Sequence, residues 1–486
     1  MGDPVLVALS FDDVLLQPGK SDIIPADADL RTKITSSIDL NIPIVSSAMD
    51  TVTESGLAIA LAREGGIGVV HRACPIDEQV NNVAKVKRSE NTVIRKPFTV
   101  TADLTLRQLH RVMDEQGVSG FPVVDADNKL VGMITSRDIW YVEDETVTIA
   151  EMMTPRDRLI TGKKNTSQAE ARRILYENRL EKIPLVDEND RLAGLITGKD
   201  IEIRKKYTNA AKDPNGQLRV GAAVGVGEGT KERARELLAA GADALFIDAA
   251  TGHTSKVLDL IGKLREMAGE RPVVAGNVVT EEGAKDLVSA GASAIKVGVG
   301  PGSICTTRVI SGVGMAQFTA IQNVAPHCRE NGVPVIADGG IRYSGDIVKA
   351  LGAGADCVML GSLLAGTREA PGAMVNFQGR TFKEYRGMGS LKAMRKGAGD
   401  RYGQNSAGKL VAEGVEARVP YRGRLAETVF QLLGGLRSGM GYVGAHNLKE
   451  LREKAQFVQI TSGGLKESHP HDVMVTEEPV NYQSLD

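Results

Sequence analysis

Cys305 lies in the stretch of the chain that most favours chemistry, the run Val297-Gly-Val-Gly-Pro-Gly-Ser-Ile-Cys-Thr-Thr-Arg308. The glycines of this run allow the backbone to bend tightly and to approach a ligand closely. A nucleophilic or ion-coordinating cysteine must be exposed on a shaped loop of this kind. The alternative is a small apolar filler, the commonest role of a free cysteine. The loop favours a covalent nucleophile, whereas Cys74, Cys328 and Cys357 lack such a setting.

Two further glycine motifs, Asp338-Gly-Gly340 and Gly361-Ser362, each follow a short apolar run. The N–H groups of such loops, together with the start of a following helix, can bind a phosphate. An aspartate beside that site would accept hydrogen bonds from ribose hydroxyls. The alternative is that these glycines only terminate strands. Because both loops carry the pattern, the sequence predicts a phosphate site.

The segment 377–420, called the flap below, is long, glycine-rich and highly charged. It does not continue the alternation of helix and strand that precedes it. A long irregular insertion near a catalytic site is usually a lid, and the sequence predicts one here. The alternative is a solvated surface loop.

The elements that position these residues follow a repeated plan, in which a helix ends at Gly-Ala and a short apolar strand follows. Uninterrupted Val, Ile and Leu predict strands that are buried on both faces, as in a parallel sheet. Eight such strands are predicted, at 43–47, 66–70, 220–226, 244–248, 272–276, 294–298, 334–338 and 357–361. Eight strands with helices between them predict an α/β fold, a closed (β/α)8 TIM barrel. A doubly wound open sheet is the competing layout.

The active site of such a barrel lies at the carboxyl ends of its strands. At those ends this chain carries polar residues and glycines that packing alone would not select. They are Ser46, Ser47, Met49, Asp50, His71, Asp248, Asn277, Gly298 to Cys305, Asp338 to Gly340, Gly361 and Ser362. The sequence predicts that they form one polar rim that faces a ligand.

A second repeat interrupts the barrel pattern between the second and third strands. Pro122, Gly132 and Asp138 recur 62 residues later as Pro184, Gly194 and Asp200. Each copy predicts a strand, a polar turn, a strand and the start of a helix, preceded by an amphipathic helix at 104–116 or 167–178. We therefore predict a paired module at 93–205, inserted in a catalytic barrel formed by 1–92 and 206–486.

Composition narrows the class of protein. The chain has 486 residues, a net charge of −2 and a pI of about 6.4, which argue against general affinity for nucleic acid or an anionic membrane. Its four cysteines are scattered without a CxxC pair or zinc spacing, which predicts reduced thiols in the cytoplasm. No secretory signal is visible and no apolar run approaches the length of a membrane span.

These motifs resemble the inosine-5′-monophosphate (IMP) dehydrogenase family over nearly the whole chain. The matching runs are Leu9-Ser-Phe-Asp-Asp-Val-Leu-Leu16, Ser46-Ser-Ala-Met-Asp-Thr-Val-Thr53, Gly298 to Arg308, Ile336-Ala-Asp-Gly-Gly-Ile-Arg342, Tyr385-Arg-Gly-Met-Gly-Ser-Leu391, Asp400-Arg-Tyr402 and Glu467-Ser-His469. The cysteine loop with the later Arg-Tyr pair is the most specific part. The paired module resembles tandem CBS domains, which implies a regulatory module that binds a purine nucleotide.

The resemblance implies an NAD-dependent oxidation of IMP to xanthosine monophosphate (XMP) in guanine nucleotide biosynthesis. Cys305 would attack C2 of the IMP ring, and hydride transfer to NAD would leave a thioimidate on the sulfur. The flap would then close into the space left by NADH. Arg401, helped by Tyr402 and Thr307, would activate water, and Glu413 would offer a second proton route through Thr307.

The resemblance also implies the binding residues. Contacts to IMP fall on Ser47, Ser303, Asp338, Gly340, Gly361, Ser362, Tyr385, Met388, Gly389 and Glu413, and contacts to NAD on Asp248, Asn277, Gly298 and Gly300. A K⁺ site would use carbonyl oxygens of Gly300, Gly302 and Cys305, with Glu467, Ser468 and His469 of a neighbouring subunit. A site shared in this way implies an oligomer, and the family forms homotetramers.

One segment departs from the family pattern. After the fourth strand the family carries Asp, Ser or Thr, Ser or Ala, His, Gly and His, whereas this chain reads Asp248-Ala-Ala-Thr-Gly-His253. Ala249 cannot donate a hydroxyl hydrogen bond, and Thr251 replaces the first histidine. We expect the affinity for NAD to be the property most affected.

Two other functions fit parts of the sequence. GMP reductase resembles the barrel and the cysteine loop, but it normally lacks the paired insert and the Arg-Tyr pair of the flap. The second alternative is a nucleotide-sensing regulatory protein in which the paired module works and the barrel is an inactive scaffold. The presence of Cys305, Thr307, Arg401 and Tyr402 argues against an inactive barrel.

Overall fold

A computed structural model describes residues 5–90, 94, 97–198, 202, 206–404, 409–479, 481 and 482. The chain divides into two compact units. The first consists of Met1–Ser89 and Asn209–Asp486, and the second of Glu90–Thr208. In the sequence, the second unit is therefore inserted between the second and third barrel strands of the first unit.

The first unit is built on a closed barrel of eight parallel strands. In chain order they are β1 (Ile44–Ser46), β2 (Ile67–Val70), β3 (Val220–Val224), β4 (Ala244–Ile247), β5 (Val273–Val278), β6 (Ala294–Val297), β7 (Val335–Asp338) and β8 (Cys357–Leu360). The barrel closes because β8 pairs with β1. The predicted (β/α)8 barrel is confirmed, and the alternative of an open sheet is wrong.

Helices follow the strands and cover the outside of the barrel. They are α1 (Ser55–Glu64), α2 (Ile76–Arg88), α3 (Thr230–Ala239), α4 (Ser255–Ala268), α5 (Glu281–Ser289), α6 (Gln317–Glu330), α7 (Ser344–Ala353) and α8 (Leu425–Val443). Local sequence fixes their ends: the Thr254 and Thr280 side chains accept hydrogen bonds from the first turns of α4 and α5. Gly65 ends α1 with φ +107°, a conformation that favours glycine.

The core of this unit has two layers, because every barrel strand is buried on both faces. Inside the barrel, Phe246 packs among Val69, Ala223 and Met359. A Cβ at Gly221 would lie 2.5 Å from the Phe246 ring, so the glycine makes room for that ring. Outside, aliphatic residues of strands and helices form the larger cluster.

Shorter elements surround the barrel. Antiparallel pairs join Thr32–Thr35 with Ile38–Leu40 and Val14–Leu16 with Phe457–Gln459. The remaining helices of this unit that are not turns of 3-10 type are Thr307–Ser311, Ser362–Ala365, Leu391–Arg395, Leu448–Lys454 and Ser462–Glu467. The flap is less irregular than predicted, because Met374–Phe377, Arg380–Arg386 and Glu416–Pro420 form a three-stranded antiparallel sheet at its base.

The second unit contains two similar three-stranded sheets. One joins Gly120–Val124, Leu130–Thr135 and Thr154–Pro155, and the other joins Gly162–Lys163, Lys182–Val186 and Leu192–Thr197. The helices Leu106–Gln116, Ser136–Ile139, Ile149–Met152 and Gln168–Glu177 accompany them.

The two copies of the repeat contact each other reciprocally. The amide of Leu130 donates to the carbonyl of Asp190 at 3.1 Å, and the amide of Leu192 donates to the carbonyl of Asn128 at 2.9 Å. The spacing of 62 residues in sequence thus corresponds to equivalent positions in space. Asp138 caps the helix of the first copy by accepting from Thr135 at 2.7 Å. Its counterpart Asp200 lies outside the described residues.

In the described part of the chain, no helix is both long enough and apolar enough to cross a membrane.

Two glycines provide a matched test of how tightly α1 packs on the barrel. A Cβ at Gly68 in β2 would lie 2.5 Å from the Ala58 backbone, whereas a Cβ at Gly262 in α4 meets nothing within 4 Å. We expect Gly68→Ala to lower the free energy of unfolding by about 1–3 kcal/mol through overpacking. Gly262→Ala should raise it by about 0.5–1 kcal/mol through helix propensity. Urea denaturation measures the free energy of unfolding of both variants. If Gly262→Ala were destabilised as much as Gly68→Ala, the difference in packing at the two sites would be contradicted.

Candidate active site

One cavity of about 390 Å³ opens at the carboxyl ends of the barrel strands. It gathers residues that are more than 350 positions apart in the chain, because all eight strands end at the same edge. Its lining includes Ser47, Asp248, Asn277, Gly298, Gly300, Gly302, Ser303, Cys305, Thr307, Asp338, Gly340, Gly361, Ser362, Tyr385, Met388, Gly389, Arg401, Tyr402 and Glu413. Every predicted substrate, NAD and catalytic residue therefore borders one space.

The loop after β6 holds Cys305 at the edge of this cavity. The Cys305 amide donates to the Gly302 carbonyl at 3.0 Å, which closes the turn. The Cys305 sulfur lies 3.2 Å from the Thr307 hydroxyl. Arg308 supports the loop from behind, since its Nε donates to the Val299 carbonyl at 3.1 Å. The half-buried thiol is thus held on a braced turn beside a hydroxyl group.

The floor of the cavity is a chain of hydrogen bonds between neighbouring strands. The buried Lys296 donates from Nζ to the Asn277 side-chain oxygen at 2.8 Å. The Asn277 amide nitrogen then donates to the Gly298 carbonyl at 2.8 Å and to the Asp338 carboxylate at 3.0 Å. Burial lowers the pKa of Lys296, and the Asp338 carboxylate opposes that shift. This chain fixes the orientation of Asp338 relative to the cysteine loop.

The loops after β7 and β8 approach their neighbours closely. A Cβ at Gly361 would lie 2.7 Å from the Tyr385 hydroxyl, and Gly340 has φ +81°. Larger residues would fill the concave surface that these loops present. Burial raises the pKa of Tyr385, which a hydrogen bond with Ser303 partly offsets. Tyr385 therefore remains a neutral hydrogen-bonding group beside the loops.

The flap reaches the same cavity. The Thr306 amide donates to the Glu413 carbonyl at 2.9 Å, and the Ala250 amide donates to the Arg401 carbonyl at 3.1 Å. These bonds seat the flap against the cysteine loop and against the loop after β4. The flap is thus more than a solvated surface loop.

Arg401 and Tyr402 have unusual surroundings within the flap. Burial lowers the pKa of the Arg401 guanidinium and raises the pKa of the Tyr402 phenol. Arg401 forms an ion pair with Asp248. Its buried Nε has no hydrogen-bond partner among the residues that the structure describes.

The altered segment after β4 adopts a defined arrangement. Ala249 is 3% exposed and packs in the core, whereas Thr251 is exposed to solvent. His253 Nε2 lies 2.7 Å from the Asp286 carboxylate. The Gly252 amide donates to the Asn277 carbonyl at 2.8 Å, which joins this segment to the cavity floor.

The two parts of the predicted cation site lie apart within one chain. Gly300, Gly302 and Cys305 border the cavity, whereas Ser468 and His469 line a different cavity beside Tyr343. Glu467 ends the helix Ser462–Glu467. Among the described residues, no cluster of three or more His, Cys, Asp or Glu side chains could hold a metal. Carbonyl oxygens on a bent loop remain suitable ligands for K⁺.

Three of the polar residues predicted to face the ligand are directed elsewhere. Ser46 accepts a hydrogen bond from Thr53 at 2.7 Å, Asp50 pairs with Arg386 at 2.6 Å, and His71 lies 3.5 Å from Glu54. Their partners lie in the adjoining loop, at the start of α1 and at the flap base. The position of a residue at the end of a strand does not reveal such a partner.

Sequence reasoning assigned no supporting role to four residues of the site, namely Arg72, Lys296, Gln317 and Asp400, although Asp400 lies in one of the matching motifs. A charged residue within an otherwise apolar buried strand was a visible signal for Lys296. Gln317, at the start of α6, donates to the Val297 carbonyl at 2.9 Å. Arg72 pairs with Asp248 and Asp400, and the second contact spans more than 300 residues, which leaves no local pattern.

Known relatives are similar over almost the whole chain. An inosine-5′-monophosphate dehydrogenase of Aquifex aeolicus is 55% identical over 98% of this chain and 97% of its own length. The protein of that name from Bacillus subtilis is 51% identical over 98% of this chain and 97% of its own length.

A solved structure is also similar, namely a cysteine-to-alanine variant of GMP reductase from Trypanosoma brucei in complex with guanosine 5′-monophosphate. It superposes with a TM-score of 0.90 and 39% identity over 97% of this chain and 99% of its own. Coverage of 97% has to include most of residues 90–208. A GMP reductase can therefore carry the paired insert as well, so the insert alone does not distinguish the two activities.

A family model described as "IMP dehydrogenase / GMP reductase domain" matches residues 8–471. The match spans the cysteine loop, both glycine loops after β7 and β8, and the flap. The chain belongs to the IMP dehydrogenase / GMP reductase family.

Proposed function

We propose that this protein oxidises IMP to XMP with NAD, a step of guanine nucleotide biosynthesis. The observation that carries the proposal is the single cavity in which Cys305 and Thr307 face Arg401 and Tyr402 of the flap. A nucleophile beside a hydroxyl group suits the first half of the reaction, and a water-activating pair suits the second. The names of relatives that are at least 51% identical support the same assignment.

In the first half-reaction the Cys305 sulfur adds to C2 of the hypoxanthine ring. A hydride then leaves C2 for the nicotinamide of NAD, so that C2 is oxidised by two electrons and NADH forms. The thiol proton is released to water, and the product on the protein is a thioimidate between the sulfur and C2. Asp248, Asn277, Gly298 and Gly300 hold the nicotinamide side of the cavity.

In the second half-reaction water attacks C2 and the C–S bond breaks, which releases XMP and regenerates the thiol. Arg401, in its deprotonated form, accepts one proton of the water, which then passes to the leaving sulfur, with Tyr402 and Thr307 completing the hydrogen bonds. The lowered pKa of Arg401 favours that role, and the raised pKa of Tyr402 keeps its phenol a donor at neutral pH. Glu413 supplies a second proton route through Thr307.

The remaining lining residues bind IMP. Asp338 accepts from the ribose hydroxyls, in an orientation set by Asn277. The loops after β7 and β8 surround the phosphate with backbone N–H groups and hydroxyls. The residues of this binding site are Ser47, Ser303, Gly340, Gly361, Ser362, Tyr385, Met388, Gly389 and Glu413.

Three further properties belong to the proposal. K⁺ is held by carbonyl oxygens of the cysteine loop together with Glu467, Ser468 and His469 of a neighbouring subunit in a homotetramer. The separation of these groups within one chain fits a site completed by a second copy. Residues 93–205 form a tandem CBS module that binds a purine nucleotide.

GMP reduction is the second candidate function, favoured by the similarity to the reductase structure. Dehydrogenation is the better assignment because Arg401 and Tyr402 reach the cavity, where hydrolysis of a thioimidate needs a water-activating group. A reductase has no such hydrolytic step.

We expect Cys305→Ala to form no NADH from IMP and NAD, because the sulfur that activates C2 for hydride loss is removed. NADH absorbance measures the reaction. Cys74→Ala is the matched control: burial raises the pKa of Cys74 to about 12, so this thiol is not ionised at neutral pH. The control should retain turnover. Robust NADH formation by Cys305→Ala would remove the covalent mechanism.

We expect Arg401→Ala to retain the first burst of NADH while steady-state turnover falls by about 100-fold or more, the usual contribution of a positioned acid–base group. Stopped-flow absorbance separates the two phases. Arg395→Ala alters an exposed arginine in the same flap and should leave both phases near the parent values. An equal loss of burst and steady state would exclude Arg401 from water activation.

A further inference from the structure

Arg72 follows β2 and connects the barrel to the flap. Its guanidinium is buried, with 7% of the side chain exposed. Nε donates to the Asp248 carboxylate at 3.1 Å, and Nη2 donates to the Asp400 carboxylate at 2.8 Å. Nη2 also lies 3.4 Å from the Asp248 carbonyl. One side chain thus binds a carboxylate of the barrel and a carboxylate of the flap.

The loop after β3 leaves space for the flap carboxylate. A Cβ at Gly225 would lie 2.7 Å from Asp400 Oδ2 and 2.9 Å from Arg72 Nη1. A Cβ at Gly227 would lie 3.1 Å from the same oxygen. Any side chain at Gly225 would therefore displace Asp400, Arg72 or both. The contact requires a glycine here for space, since Gly225 does not have a positive φ.

The charges around this contact alternate. Arg401, next to Asp400 in the flap, pairs with Asp248, which also pairs with Arg72. Two arginines that repel each other are thus held together by two aspartates. Without the Asp400 charge, Asp248 would be the one carboxylate among these four residues that neutralises both guanidinium groups. Asp400 therefore favours the seated position of Arg401 without touching the cavity itself.

The ion pair between Arg72 and Asp400 can also break without leaving a buried charge unpaired. Asp400 keeps 32% of its side chain exposed, so water can replace Arg72 when the flap lifts. Arg72 then retains Asp248 as a partner, which avoids an unpaired buried charge on the barrel. Lifting of the flap also separates Arg401 from Asp248 and frees that carboxylate on the nicotinamide side of the cavity.

We propose that Arg72 and Asp400 are positioning residues that hold the flap seated during hydrolysis and are not needed for hydride transfer. The proposal deepens the proposed function and rests on it. Their ion pair selects the conformation in which Arg401 reaches the thioimidate on Cys305. Loss of the pair should slow the second half-reaction and leave the first.

Asp400→Asn and Gly225→Ala test this by independent routes, one through charge and the other through space. We expect each to keep the NADH burst within about twofold of the parent while steady-state turnover falls by about fivefold, the upper end for a partly exposed ion pair. Acid quench with labelled IMP should show a larger fraction of protein carrying the thioimidate. Gly227→Ala, with its longer 3.1 Å approach, should have a smaller effect.

Non-additivity of the two substitutions distinguishes the loss of one shared contact from a general loss of stability. The double variant Asp400→Asn/Gly225→Ala should lose little more turnover than either single variant, because both break the same contact. Arg452→Gln breaks a half-buried arginine–aspartate pair of 2.6 Å at the start of β8, away from the cavity. This control should leave the thioimidate fraction unchanged.

Two negative outcomes are distinguishable. A parent protein that forms no NADH from IMP and NAD would remove the proposed function. If the parent is active and both Asp400→Asn and Gly225→Ala match it in NADH burst, steady-state turnover and thioimidate fraction, the proposed role of the pair is overturned. Multiplied losses in the double variant would do so as well, because they would show that the two substitutions act separately.

Discussion

The Asp248 carboxylate at the end of β4 is the interaction on which the site depends. It is buried, and it pairs with Arg72 of the barrel and Arg401 of the flap. A buried carboxylate requires such charge-assisted hydrogen bonds, since an unpaired charge there is strongly unfavourable. Because one of its partners belongs to a segment 153 residues further along the chain, this requirement couples the barrel to the flap.

The barrel supplies the rigid part of the same arrangement. Parallel strands bring their carboxyl ends to one edge, where Lys296, Asn277 and Asp338 form a continuous hydrogen-bond chain across β5, β6 and β7. Asn277 also binds the carbonyl of Gly298, the first residue of the cysteine loop. Cys305 and Asp338 are therefore positioned by one set of bonds, whereas Arg401 and Tyr402, which we propose activate water, lie on a separate element.

The barrel strands were predictable to within a few residues because burial on both faces leaves an uninterrupted apolar run, as in β4 and β8. Cys305 was predictable as a site residue because the glycines that precede it in the sequence predict a tight turn. The pairing of Arg72 with Asp400 was not, since it joins residues 328 positions apart and depends on the packing of the flap. The sheet at the flap base was missed for a related reason: its outer strands are short and mostly exposed, so burial leaves no pattern in them.

Oxidation of IMP and reduction of GMP are the two activities to distinguish, because the family contains both and a reductase superposes on this chain with a TM-score of 0.90. Incubating the purified protein with IMP and NAD, and separately with GMP and NADPH, and identifying the nucleotide products by mass spectrometry distinguishes them directly. We expect XMP from the first mixture and no consumption of GMP in the second. Formation of IMP from GMP, with no XMP from the first mixture, would contradict the proposed oxidation of IMP.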